Sequence, residues 1–287
     1  MLHKAIRFWM KVLGLFDMII KDGISKNSEG KYDFDYSNDL EYDLIHLCDD
    51  DFGIKTAKEL TYFYAYKFNT NADIEEVKEF RKLFKSNYNN DTFFYRDSVL
   101  DFIELGMLRL DKYKKLTDFD VVFMSDFGHG DSVGVMALLD SLLLEYTDGD
   151  FLDVRLVKES YDNIKFDIEK AITALMNTER YSDIKKATIA AKSIEKRFYK
   201  LKESGTVFKI KQYMPVAGRE GFYDFLKFDT DEHKEIFMSL ANGTNALICD
   251  DFITSGSTVK EMQRYLYSIN PNVTLTVFIL VDQLRDY

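Results

Sequence analysis

Two cysteines, Cys48 and Cys249, stand far apart in a chain of 287 residues, too few for a disulfide framework or a thiolate zinc cluster. Cys249 falls inside an apolar run that reads as a buried strand, which fits a reducing, cytoplasmic setting. Positive charge is short as well. With 38 Lys and Arg against 49 Asp and Glu, the net charge is -11, which argues against sequence-independent nucleic-acid binding and leaves room only for a local basic patch. No run reaches the roughly 18 apolar residues of a membrane span. The apolar N-terminus is broken by Lys11 and Asp17 and lacks a small-residue cleavage site, so neither a targeting signal nor a membrane partner is expected. Internal repeats and low-complexity stretches are missing too. The acidic run Asp49, Asp50 and Asp51 lacks further spaced ligands and reads as a solvated turn.

What is present is apolar mass: 46% hydrophobic residues and 15% aromatics can fill one large or two modest domains. Ile6, Trp9, Leu13, Phe16 and Ile20 recur at helical spacing. A second helix can start after Asn71, with Asp73, Glu75 and Glu76 in its first turn, Ile74, Val77, Phe80 and Phe84 on one side, and Arg81, Lys82 and Lys85 towards its end. A third covers about 95–110. Residues 1–116 therefore read as a helical accessory region. From Asp118 the pattern turns to alternating strands and helices, the mark of a parallel sheet covered on both faces. Strands are expected at 119–124, 152–158, 207–211, 222–228 and 273–281, with helices at 132–145, 165–203 and 231–240. The expected class is α/β, with a parallel-sheet, Rossmann-like domain at 117–287 behind the helical region.

Residues 246–258 carry the densest chemistry: Ala-Leu-Ile-Cys-Asp-Asp-Phe-Ile-Thr-Ser-Gly-Ser-Thr. An apolar strand ending at Cys249 is followed by two acids, a hydroxyl-rich turn and a helix in which Met262 and Leu266 repeat at helical spacing. A turn at a helix N-terminus offers free backbone N–H groups and the positive end of the helix dipole, both of which favour a phosphate. Thr254, Ser255, Ser257 and Thr258 add hydroxyls, and Gly256 permits close backbone approach. Asp250 and Asp251 are acceptors placed one sugar-length away, suited to ribose hydroxyls.

This stretch resembles the phosphoribosyl-pyrophosphate (PRPP) motif of the type I phosphoribosyltransferases, with Ser255 as a conservative replacement. The resemblance implies that Thr254 to Thr258 hold the 5′-phosphate and that Asp250 and Asp251 hold the ribose hydroxyls and help stabilise positive charge on the sugar. It further implies transfer of the phosphoribosyl group from PRPP to a nucleobase-like nitrogen acceptor, with Mg²⁺ arriving on PRPP rather than on a protein-built metal site. The family includes regulators, so a non-catalytic PRPP or nucleotide sensor is the alternative. A homo-oligomer is compatible with either.

The same resemblance assigns pyrophosphate contact to the loop after the first core strand, here Met124 to Ser132, with Ser125, Asp126, Gly128, His129 and Gly130 as its candidates. Asp126 and Asp131 are unusual so near a polyanion, and a polar strand-to-helix turn explains the loop equally well. Basic candidates for the pyrophosphate are Lys158, at the end of the second strand, and Arg219, in a Gly- and Pro-containing loop loosely similar to ComF-like phosphoribosyltransferases. The cysteine-rich zinc module of ComF-like chains has no counterpart in this sequence. Lys209 and Lys211 read equally as solvated charges on a strand.

Overall fold

The computed structural model of the chain describes residues 23–26, 28–34, 45–47, 53–57, 60–68, 73–87, 92–94, 96–124, 135–146, 152–205, 208–253 and 256–283. The amphipathic stretch at 6–20 and the acids at 49–51 lie outside them. The architecture is α/β, built on a mixed sheet with helices on both faces.

Five strands come from the first 70 residues: β1 (Gly23–Lys26), β2 (Tyr32–Phe34), β3 (Ile45–Leu47), β4 (Gly53–Ala57) and β5 (Leu60–Phe68). The expectation of a purely helical region at 1–116 is therefore corrected. Leu60–Phe68 reads Leu-Thr-Tyr-Phe-Tyr-Ala-Tyr-Lys-Phe, a run of aromatic and β-branched residues that prefers a pleated, half-buried surface. The helices α1 (Ile74–Asn87) and α2 (Arg96–Tyr113) follow where helical spacing predicts them. The later elements are β6 (Val121–Met124), α3 (Val135–Tyr146), β7 (Leu152–Asp153), β8 (Leu156–Lys158), β9 (Lys165–Phe166), α4 (Ile168–Met176) and α5 (Ile184–Glu203). They continue through β10 (Phe222–Tyr223), β11 (Leu226–Phe228), α6 (Asp231–Ser239), β12 (Asn245–Ile253), α7 (Ser257–Ile269) and β13 (Thr274–Asp282).

Several expected elements are divided. The long helix at 165–203 breaks in two because two aspartates start new helices: Asp167 accepts from Lys170 N–H, and Asp183 accepts from the N–H groups of Lys185 and Lys186. The strand at 222–228 is cut at Asp224, whose φ of 59° leaves the extended region. In place of the strand at 207–211 stands a short 3₁₀ turn, Ile210–Gln212. The strand at 152–158 splits between β7, which stays in the main sheet, and β8, which pairs antiparallel with β11.

The strand order of the main sheet is β2-β1-β3-β5-β13-β12-β6-β7, with β4 also beside β5. The run β7-β6-β12-β13-β5 is parallel throughout. Among its last four strands in the chain, spatial order is second, first, third, fourth, and the N-terminal strand β5 fills the fifth place. This is a doubly wound order whose direction reverses between β6 and β12. At such a reversal the loops leaving the two strands go to opposite faces and open a crevice at the carboxyl ends.

One face of the sheet is covered by α1, α2 and α3 through Phe80, Phe84, Phe102, Ile103, Leu139 and Leu143. A Cβ on Gly106 would lie 2.5 Å from Leu280 Cδ1, so α2 meets β13 without room for a side chain. The other face is covered by α6 and α7 through Phe237, Val259, Met262 and Leu266, each fully buried residue contributing roughly 1.5–3 kcal/mol. A smaller cluster of Ala171, Ile172, Leu175, Ala187 and Ala191 joins α4 to α5.

Candidate functional site

The paired acids lie within β12, which runs on past Cys249 to Ile253. Pairing of β12 with β6 stops at Cys249 and Met124, whereas pairing with β13 runs on to Ile253 and Asp282. Asp250 to Ile253 therefore project past β6 along the edge of the crevice. Asp250 is half-buried and Asp251 only 2% exposed. The carboxylates take backbone donors there: Asp251 N–H donates to Asp250 Oδ1 (2.9 Å) and Phe252 N–H to Asp251 Oδ1 (2.7 Å).

A buried carboxylate needs a charged or hydrogen-bonding partner. For Asp251 that partner is Lys85 of α1, whose Nζ donates to Asp251 Oδ1. Burial alone would lower the Lys85 ammonium, but Asp251, with Asp250 behind it, outweighs burial and raises its pKa. Lys85 Nζ also lies 5.4 Å from the centre of the Phe252 ring. One turn earlier, Arg81 donates to Gln283 Oε1 at 2.7 Å. Burial lowers the Arg81 pKa, and Asp251 works against that shift. Sequence reading took Arg81 and Lys85 as charges complementing the helix dipole. Their place beside Val77, Phe80 and Phe84 gives no local sign of this pairing, because cations flanking the apolar side of a helix commonly reach out to water.

The opposite face of the same strand ends holds a second buried group. Asp282, 6% exposed, accepts from Tyr62 Oη at 2.9 Å and from Lys55 Nζ at 3.2 Å. Both cationic partners, Lys55 and Lys85, come from the first 116 residues. That segment thus completes the carboxyl end of the sheet as well as extending it.

The expected phosphate turn is short. Gly256 is the N-cap of α7, with φ of 71°, a left-handed conformation that glycine adopts without a Cβ penalty. Ser257, buried, and Thr258, half-buried, open the helix. Thr254 and Ser255 lie outside the described residues, as do Ser125, Asp126, Gly128, His129 and Gly130. What the fold fixes is where those segments start and end: one leaves β6 at Met124, and the other joins β12 to α7.

The basic candidates stand elsewhere. Lys158 is half-buried in the β8–β11 ladder, opposite Leu226. Arg219 is buried in the turn Val216–Gly221, where its Nε donates to the Tyr213 carbonyl at 2.8 Å and its Nη2 lies 3.4 Å from Met214 Sδ. Burial lowers its pKa. These contacts brace its own loop, which holds the cis Met214–Pro215 bond.

The wall behind α7 is held by a charged chain. Arg264 binds Glu261 through two bonds of 2.7 and 2.8 Å and reaches Asp224 at 2.6 Å, while Lys165 binds Asp224 from the other side at 2.8 Å. For Asp224, burial raises the pKa, but Lys165 and Arg264 outweigh it and the net direction is down. A carboxylate held below its unfolded value of about 3.9 contributes stability above that pH and loses it as pH falls further. Asp224→Asn retains a residue tolerant of positive φ. Urea titrations at pH 7 and pH 3 should show the stability gap between wild type and variant narrowing at the lower pH; a constant gap would assign the effect to packing.

Among the described residues no group of three His, Cys, Asp or Glu side chains converges to hold a metal ion. No described helix is long and apolar enough to cross a membrane. Compared with protein-family models and with curated proteins, the chain matches none.

Proposed function

We propose that the chain binds PRPP at the carboxyl ends of β6 and β12 and transfers its phosphoribosyl group to a nitrogen acceptor. The observation that supports the reading is the reversal of strand order between β6 and β12, parallel neighbours whose ends are where both loops of the resemblance begin. A type I phosphoribosyltransferase fold accounts for that order, with β5 in its fifth place.

In this reading the 5′-phosphate lies at the N-terminus of α7, where the backbone N–H groups that follow Gly256 point towards it. Asp250 accepts hydrogen bonds from the ribose hydroxyls and stabilises the positive charge that develops on the sugar as the bond to pyrophosphate breaks. The C1–O bond breaks, a C1–N bond forms, pyrophosphate departs with the bonding pair, and the acceptor nitrogen loses its proton. Mg²⁺, where PRPP carries it, screens the pyrophosphate. The acceptor class is a nucleobase or related amine.

Pyrophosphate release from PRPP, measured against a panel of bases and small amines with PRPP binding followed in parallel, tests the proposal. Release that requires one acceptor is the expected result. Binding with no release under any acceptor would replace the transferase with a PRPP sensor on the same fold, and absence of binding would remove both.

A further inference from the structure

The proposed ligand is a polyanion, which needs cationic charge beside it. Lys158 sits in the β8–β11 ladder, and the Arg219 guanidinium braces its own loop. The segment 125–134 contains no Lys or Arg and brings Asp126 and Asp131. Lys260, in the first turn of α7, is bonded to Glu220 at 3.4 Å, so a polyanion at these strand ends would draw further cationic charge from another element.

Helix α1 has the geometry to deliver that charge. Phe80 packs on Phe68 at the end of β5, Arg81 bonds Gln283 just past β13, and Lys85 bonds Asp251 near the end of β12. From Arg81 to Lys85 the helix rises about 6 Å. Adjacent strands are about 4.8 Å apart. The helix therefore lies across the ends of β5, β13 and β12, with Phe80 also against Phe252 of β12, and its last turn brings Lys85 to Asp251. It packs on the same face as α3, the helix that follows the β6 loop. Lys85 lies in its last turn, where the helix carbonyls favour a cation. Its side chain remains 45% exposed with the ammonium bonded to Asp251, so the residue is reachable from solvent.

We infer that Lys85 is a ligand-binding residue: its ammonium bridges Asp251 and the pyrophosphate of PRPP, supplying from the N-terminal segment the charge that the β6 loop lacks. Asp251 is then a positioning residue that aims Lys85, and Asp250 alone meets the sugar. Arg81 adds a second positive charge one turn away. The inference rests on the PRPP reading above and assigns to this chain's own helix the recognition of the leaving group.

The test compares two ligands that differ in that group, PRPP and ribose 5-phosphate, by calorimetry on the full-length protein. Lys85→Ala should weaken PRPP binding about 10- to 100-fold, the range of one charged hydrogen bond, and change ribose 5-phosphate affinity less than about threefold. Lys85→Gln keeps the stem over Phe252 and a donor for Asp251, and should show the same selective loss with a melting temperature lowered by only a few degrees. Equal losses for both ligands would mean that Lys85 only positions Asp251, which overturns the inference while leaving PRPP binding standing. Unchanged affinity for both would overturn it too. Wild-type protein that binds neither ligand would remove the PRPP reading itself, and this inference with it.

Discussion

Asp250→Asn should lower phosphoribosyl transfer by about 100-fold or more while leaving the melting temperature within a few degrees of wild type. The substitution keeps the shape of a half-buried side chain and keeps an oxygen for the Asp251 N–H, so the strand end retains its local bond. In the proposed reading it removes the negative charge that would face the sugar, and that charge would matter most when the ribose turns cationic. Binding of PRPP should weaken less than turnover, since ground-state hydroxyls lose only part of an acceptor. Unchanged turnover in a steady-state assay would remove Asp250 from the chemistry. Asp251→Asn should behave differently. It breaks the ion pair with Lys85, and because that lysine is 45% exposed and can turn to water, the cost to stability is modest, about 1–2 kcal/mol. The two neighbouring acids are thus distinguishable by experiment: one governs rate, the other the placement of α1.

That distinction was not legible in the sequence, where Asp250 and Asp251 look equivalent. Local periodicity located α1, α2, β6, α6, α7 and β13 to within a few residues, because each has an apolar face that repeats at its own spacing. The helix start at Gly256 was legible from its glycine and hydroxyls, which are consecutive there. What separates the acids is a contact between residues 166 positions apart, Lys85 and Asp251, and no local pattern reports a contact across that distance. The strand β12 overran its expected end at Cys249 because β13 continues alongside it to Asp282, a tertiary cause. The strand β5 was legible in principle, since Tyr62, Ala65 and Tyr66 are buried in an aromatic-rich run, but the helical spacing on either side of it obscured the change of period. Its place in the sheet, parallel to β13 and ahead of β6 in the chain, follows only from the pairing.

Phe252→Ala should be among the most damaging single substitutions at the site, costing about 3–5 kcal/mol, or a fall in melting temperature on the order of 10 °C. Phe252 is 4% exposed and its ring meets Phe68, Phe80 and Phe84 at centroid distances of 6.0, 6.2 and 5.7 Å. Phe80 and Phe84 belong to α1, so this one ring holds the helix that carries Arg81 and Lys85 against the end of β12. Removing it opens a cavity where the helix crosses the sheet, and α1 can close that cavity only by moving relative to Asp251. Stability and ligand affinity should therefore fall together in Phe252→Ala. Phe252→Leu, which refills most of the volume, should recover both to within about 1.5 kcal/mol of wild type. Denaturant titration with PRPP calorimetry on the same preparations checks the coupling. Loss of stability with undiminished PRPP affinity would show that α1 takes no part in the site. The short hydrophobic step after the paired acids would then serve the core alone. A joint loss, restored by leucine, would mean that the spacing between Asp250 and Gly256 is fixed by the packing of an N-terminal helix as much as by the reach of a ribose phosphate.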